Sequence, residues 1–220
     1  MRLSVLDQSV AVADRPHDQS IRNTVGLARH CEALGYERFW VSEHHNHPTI
    51  VGTAPEVWIL GSSDYGAQVA ALFGLPYCYA WFFSDGKGGE RAIDLYKRSY
   101  RPSARHPAPH SGLCVWALAA PTMEEAQYHL TSRVLSRINR DRGLLGPLVS
   151  PDEAAKALAP HDQARIERIR KDSFVGTGPE VMARIVELKE RVGVDEMAVV
   201  TWTYDEEIRR QSYTELAKAF

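Results

Sequence analysis

The chain reads as an α/β protein built on a parallel sheet. Three observations predict this class: short apolar strand segments alternate with helical segments, the links between them are short, and titratable side chains crowd one strand exit. Parallel βα architectures carry their catalytic groups at the carboxyl ends of the strands, which is where that crowd falls.

Leu3 to Leu6 reads as a buried strand. An amphipathic helix follows over Ser20 to Leu34, with Ile21, Val25, Leu27, Ala28 and Leu34 on its apolar stripe and Gly35 as its stop. Arg38 to Val41 supplies the second strand and completes a βαβ unit whose short connections favour parallel neighbours. Val57 to Leu60 is a third strand, and Gly61-Ser62-Ser63-Asp64 opens a helix over Tyr65 to Phe73 that Gly74 ends. Leu75 to Ala80 is a fourth strand, Gly89 to Tyr100 is helical, and a Pro/His-rich connector from Arg101 to Ser111 leads to a fifth strand, Leu113 to Ala119. Thr122 caps the next helix, with Glu125 three residues on in a capping-box pattern. Gly143 to Asp152 mixes Gly, Pro and Ser and reads as a loop between two helices. Phe174 to Glu180 leads into a helix over Val181 to Val192, Glu196 to Thr201 is the last strand, and Glu206 to Ala219 the closing helix. The pattern therefore holds six strands. A closed eight-stranded barrel takes about 250 residues, so it is two βα units short of one.

With 220 residues, 44% apolar and 25% charged, the chain has the balance of a soluble globular protein, read as one domain over 1–220 with an N-terminal βαβ part (1–55) and C-terminal βα units (56–220). A net charge of -2 argues against nucleic acid or an anionic membrane as partner. The start lacks the apolar core of a secretory signal, and no segment reaches the roughly 20 apolar residues of a membrane span. Cys31, Cys78 and Cys114 lie far apart inside apolar patterns, which predicts buried free thiols and a cytoplasmic location.

The chemistry concentrates in Phe39-Trp40-Val41-Ser42-Glu43-His44-His45-Asn46-His47, an apolar strand running into a carboxylate and imidazoles. An imidazole titrating near neutrality suits proton transfer, so Glu43, His44 and His45 are the candidate catalytic residues, with His47 at the rim. Gly61, Ser62 and Ser63 stand between a strand and a helix start, where backbone N–H groups and the helix dipole suit a phosphate; a plain N-cap is the other reading. Asp7, Gln8 and Ser9 leave the first strand at the same face, either bordering a ligand or serving turn chemistry. Tyr79, Trp81, Phe82 and Phe83 either wall an apolar pocket or fill core, with core expected for at least two of them. Gly176-Thr177-Gly178-Pro179-Glu180 lacks the lysine of a P-loop and reads as a helix cap by Thr177, with Pro179 early in the helix. His45 and His47 place two imidazoles on one side of an extended segment, as a zinc hydrolase requires, but no later residue set completes that site, and no metal is expected.

Four stretches together carry a family resemblance: Leu3 to Ser9, Tyr36 to Asn46, Glu56 to Ala71 with Trp58-Ile59-Leu60-Gly61-Ser62-Ser63, and Ser173 to Phe220. The chain resembles the luciferase-like, flavin-dependent monooxygenases, and among them the MsnO8-like group. The resemblance implies a TIM-barrel-like (β/α) fold of the bacterial luciferase type, shortened to about six parallel strands. It implies FMN reduced by a separate flavin reductase, with the deazaflavin F420 as another possibility, molecular oxygen, a small organic substrate and a homo-oligomer. It places the FMN phosphate at Gly61, Ser62 and Ser63, Asp7 and Gln8 beside the flavin, and proton transfer at His44, with His45 and Glu43 orienting ring or substrate. One Ala54-Pro55-Glu56-Val57 serves here both as a helix start after the second strand and as the entry to a later one, so an internal deletion near Pro55/Glu56 is expected. A non-catalytic flavin-binding or structural remnant is the alternative function, ahead of the metal-dependent hydrolase.

Overall fold

Among the described residues all strand pairs are parallel, and each interior strand turns one set of alternate residues to each face of one sheet. The computed structural model describes residues 2–42 and 58–220. The element order is β1 (Leu3–Asp7), α1 (His17–Ala33), β2 (Phe39–Val41), β3 (Ile59–Gly61), α2 (Asp64–Phe73), β4 (Tyr77–Ala80), α3 (Trp81–Ser84), α4 (Gly89–Ser99), β5 (Ser111–Ala119), α5 (Met123–Asp141), α6 (Pro151–Ala157), α7 (Gln163–Asp172), β6 (Phe174–Gly176), α8 (Gly178–Val192), β7 (Glu196–Val200) and α9 (Glu206–Ala217). The sheet runs β2-β1-β7-β5-β4-β3. β5 is long enough to serve two neighbours: its first half pairs with β7 and its last residues, Ala117 to Ala119, pair with β6.

Local sequence explains most boundaries. Gly74 caps α2 in the left-handed region at φ 60°, which costs a residue without Cβ nothing. Thr122 accepts the Glu125 N–H at 3.2 Å, and the Glu180 carboxylate accepts from both the N–H and the hydroxyl of Thr177 ahead of α8, as the cap reading expected. The expected loop over Gly143 to Asp152 ends earlier, because Ser150 and Glu153 form a capping box that starts α6 at Pro151. The expected six strands become seven among the described residues. Phe174-Val175-Gly176, read as the approach to a helix, is β6; three apolar residues are too short a run for periodicity to reveal.

The two faces carry separate cores. One holds Leu3 and Val5 of β1, Tyr77 and Tyr79 of β4, Leu113 and Val115 of β5, and Met197 and Val199 of β7, covered by α1, α2, α4, α8 and α9. The other, concave face holds Leu6, Cys78, Cys114, Trp116, Ala198 and Val200, with Trp40, Trp58 and Trp202 packed against them. Here α5 supplies the cover through Ala126, Leu130, Val134 and Ile138, all fully buried. In a closed barrel the helices form an outer ring around the strands. This sheet is a curled half-barrel, and one of its own helices fills the hollow that two further βα units would otherwise close.

β2 and β3 end the ladder, and their side chains meet across the gap. The Trp40 and Trp58 rings are 4.5 Å apart, and the Arg38 guanidinium lies 5.8 Å from the Trp58 ring centroid. Below them the floor is polar. Glu196, fully buried, accepts hydrogen bonds from the Ser4 hydroxyl and from Arg38, and lies 3.2 Å from His110 Nε2. Burial works to raise its pKa, but His110, Ser4 and the Arg38 charge outweigh it and hold the carboxyl below its ordinary range.

Candidate functional site

The strand exits line a cleft of about 140 Å³, partly open to solvent. Gln8 and Val10 enter it from the end of β1, Phe83 from α3 behind β4, and Trp202 from the end of β7. The opposite wall is α5 with the segment after it, including Leu135, Leu144, Leu145 and Leu148. Apolar walls around a few polar groups are the usual make-up of a small-molecule site.

The polar groups of this cleft are unusual in lacking partners. Gln8 is 1% exposed, and among the described residues neither its amide oxygen nor its amide nitrogen makes a hydrogen bond. Ser132 Oγ, Arg137 Nε and Trp202 Nε1 are likewise buried and unpartnered. Buried polar groups are normally satisfied, so such a cluster sets this cleft apart from the rest of the interior.

A second concavity lies at the start of α2. Ser62, Ser63, Asp64 and Tyr65 form one side of a basin of about 320 Å³, with Tyr79, Lys87, Gly88 and Arg91 on the other. Ser63 is the N-cap residue in extended conformation, yet its side chain makes no capping bond, which weighs against the plain-cap reading. Tyr77 and Tyr79 donate to the Ser63 and Ser62 carbonyls at 3.2 and 3.3 Å and brace the turn from below. Gly61 packs against α2: a Cβ there would meet the Tyr77 ring at 3.3 Å and Gly66 Cα at 3.4 Å. Sequence reasoning singled out Gly61, Ser62 and Ser63 but not Lys87 and Arg91, the cations that line the same basin as the two serines. The turn after α3 brings Lys87 in, and Arg91 reaches Asp64 at 2.9 Å.

The remaining candidates divide. Of the two readings of Asp7, the structure displays the turn chemistry: its Oδ1 accepts the Ser9 N–H at 2.9 Å and pairs with Arg209 of α9 in a fully buried contact. Burial opposes the charge on Asp7, but Arg209 outweighs it and lowers the carboxyl pKa. Gln8, one residue on, turns to the cleft. In the aromatic run, Tyr79 and Phe82 are core, Trp81 packs edge-on against Tyr79, and Phe83, 39% exposed, walls the cleft. Trp81 to Phe83 belong to a helical turn rather than to the strand end. Glu43, His44, His45 and His47 lie outside the described residues, as does the Pro55/Glu56 junction. Among the described residues no group of His, Cys, Asp and Glu is arranged to hold a metal ion, and no helix is long and apolar enough to cross a membrane.

Residues 1–56 match the family described as luciferase-like monooxygenase. The uncharacterised protein YwcH of Bacillus subtilis (strain 168) is 32% identical over 185 residues, 81% of this chain and 55% of that protein. A luciferase-like monooxygenase of Escherichia coli (strain K12) is 31% identical over 158 residues, 71% of this chain and 47% of the relative. The chain belongs to the luciferase-like monooxygenase family. This luciferase-like chain spans about half the length of the curated relatives it matches. Its fold is nonetheless shared by a protein of its own size. The crystal structure of apo-MsnO8 superposes with a TM-score of 0.85 at 21% identity, covering 100% of this chain and 98% of that one. The oxygenating constituent of 3,6-diketocamphane monooxygenase from Pseudomonas putida, a complex with FMN, gives a TM-score of 0.52 at 17% identity, covering 93% of this chain and 63% of that one.

Proposed function

We propose that the chain is a flavin-dependent monooxygenase acting on a small organic substrate, with the phosphate of FMN on the basin at the start of α2. The observation that carries this reading is the convergence of the α2 N-terminus, Ser62, Ser63, Lys87 and Arg91 on one concavity beside the strand exits. Exposed N–H groups at a helix start favour an anion, and two nearby cations match a phosphate dianion. The residues fit the group, and the FMN complex of a structural neighbour supports the choice. The deazaflavin F420 carries a phosphate too, so it competes for the same basin.

When bound, reduced flavin supplies the activation of molecular oxygen for transfer to the substrate. The chain's own residues bind and shield. Ser62, Ser63, Lys87 and Arg91 hold the phosphate; Phe83, Leu135, Leu144 and Leu148 exclude water from the cleft; Gln8 and Trp202 orient what enters it. His44 moves the proton, with Glu43 and His45 as its orienting neighbours. Reduced flavin comes from a separate reductase in the cytoplasm. Tyr65, Leu72 and Phe73, respectively 75%, 51% and 64% exposed on α2, suit a homo-oligomer contact.

The length of the chain favours one alternative. An internal deletion near Pro55/Glu56 removes part of the scaffold that the longer relatives retain, leaving a flavin-binding protein without turnover. Titrating the purified chain with FMN and with F420, followed by flavin fluorescence alongside a size-exclusion mass, tests both. One flavin per chain together with oxygen consumption on reduced flavin supports the enzyme, and binding without consumption supports the remnant. A folded chain that binds neither flavin refutes the proposal.

A further inference from the structure

Beside the cleft lies a buried cation with no ion pair among the described residues. Arg133 of α5 is 2% exposed, and its guanidinium lies 4.3 Å from the Trp116 ring centroid and 5.5 Å from that of Trp202. Its Nε and Nη1 make no hydrogen bond among the described residues. The charged groups around it do not neutralise it. Asp85 is held by Arg137 through two bonds of 2.6 and 2.7 Å, and Arg140 is a third cation, itself beside Asp141. Burial, with Arg137 and Arg140, pushes the Arg133 pKa down, and the nearby Asp85 carboxylate does not outweigh them. Indole faces return part of the lost hydration but supply no negative charge.

The unpartnered groups in front of Arg133 are almost all donors. Ser132 Oγ, Arg137 Nε and Trp202 Nε1, buried in residues that line the cleft, are donors, with the Gln8 amide adding a further donor and the one pure acceptor, its oxygen. A donor-rich floor backed by one uncompensated positive charge fits a singly charged oxygen acid, and the apolar walls fit a hydrophobic body attached to it. We propose that the cleft floor of Gln8, Ser132 and Trp202, backed by Arg133, recognises a carboxylate on an aromatic or otherwise apolar substrate. The proposal deepens the flavin-dependent reading, on which it rests for the chemistry that follows binding. The floor and the phosphate basin share no lining residue, so the two occupants are separable.

The test compares 2-naphthoate with its methyl ester, titrated into the full chain with and without FMN and followed by tryptophan fluorescence and thermal shift. The acid is expected to bind saturably and raise Tm, with the ester at least tenfold weaker, and FMN is expected to leave the preference intact. Arg133→Met is expected to abolish the preference while its unliganded Tm equals or exceeds that of the parent, because an uncompensated buried charge has gone; Arg133→Lys keeps part of the preference. Equal binding of acid and ester by the unaltered chain overturns the proposal without needing any variant to fold. Acid preference surviving in Arg133→Met, or competitive displacement of the acid by FMN, also overturns it. FMN binding without acid preference refutes this inference alone, whereas acid preference without any flavin binding refutes only the flavin reading.

Discussion

Asp7→Ala is expected to unfold the chain more easily while leaving ligand affinity per folded molecule unchanged. The Asp7 carboxylate is fully buried, and Arg209, its partner on α9, is 7% exposed. Removing one member of a buried ion pair strands the other, which costs about 3–5 kcal/mol. At roughly 2–4 °C per kcal/mol for a domain of this size, the drop in Tm is on the order of 6–20 °C. The companion Asp7→Leu/Arg209→Met removes both charges and is expected to recover most of the loss, since apolar replacement of a whole buried pair is often neutral. Differential scanning calorimetry of the two variants, with FMN titration below their transitions, measures both quantities. An Asp7→Ala protein within about 1 kcal/mol of the parent, or one that keeps its stability and loses FMN, would refute the structural assignment.

Other expectations follow from the same coordinates. Glu196 and Asp7 have folded pKa values below their ordinary range, so their stabilisation is complete above that range and is lost as pH falls through the depressed values; Glu206, raised by burial, contributes in the opposite sense. Urea midpoints should therefore fall steeply below about pH 4, and a midpoint that holds or rises down to about pH 2.5 would contradict this. Trp58→Ala leaves the Trp40 ring and the Arg38 guanidinium without their packing surface, for a loss of about 3–5 kcal/mol and increased binding of an apolar dye; an unchanged unfolding curve would deny the contact any role. Lys87→Ala/Arg91→Ala should weaken FMN at least tenfold without lowering Tm, because both side chains are exposed. His44→Ala should slow substrate oxidation while FMN affinity stays nearly constant, and equal loss of both would remove its assigned role. Cys78 and Cys114 are raised well above the ordinary thiol range and Cys31 is pushed up to about 12, all by burial, so a thiol reagent should label none of them before unfolding.

The order of elements and the parallel sheet were legible because each of the longer segments carries its own period and its own stop signal. Gly35, Gly74 and the Thr122 and Thr177 caps stand where chain chemistry demands them. Three features escaped for reasons of distance or length. β6 is too short for a period to register. Lys87 and Arg91 face Ser62 only through the β4–α4 connection, which no local pattern encodes. The placement of α5 over the hollow of the sheet is a tertiary outcome, yet its sequence holds a sign of it. Arg133 and Arg137 sit among Leu130, Val134 and Ile138 on a buried stripe, where a solvated helix would keep its cations on the opposite face.

The Trp40–Trp58 contact gives the sheet a seam held by side chains where every other strand junction is held by backbone. Widening a fully laddered barrel requires breaking hydrogen bonds between strands that already suit one another. Widening this one asks only that two indoles part. Parting them leaves the register of every laddered pair as it is. The edge between β2 and β3 is thus the place where this sheet yields first, while α5 stays packed on the hollow behind it.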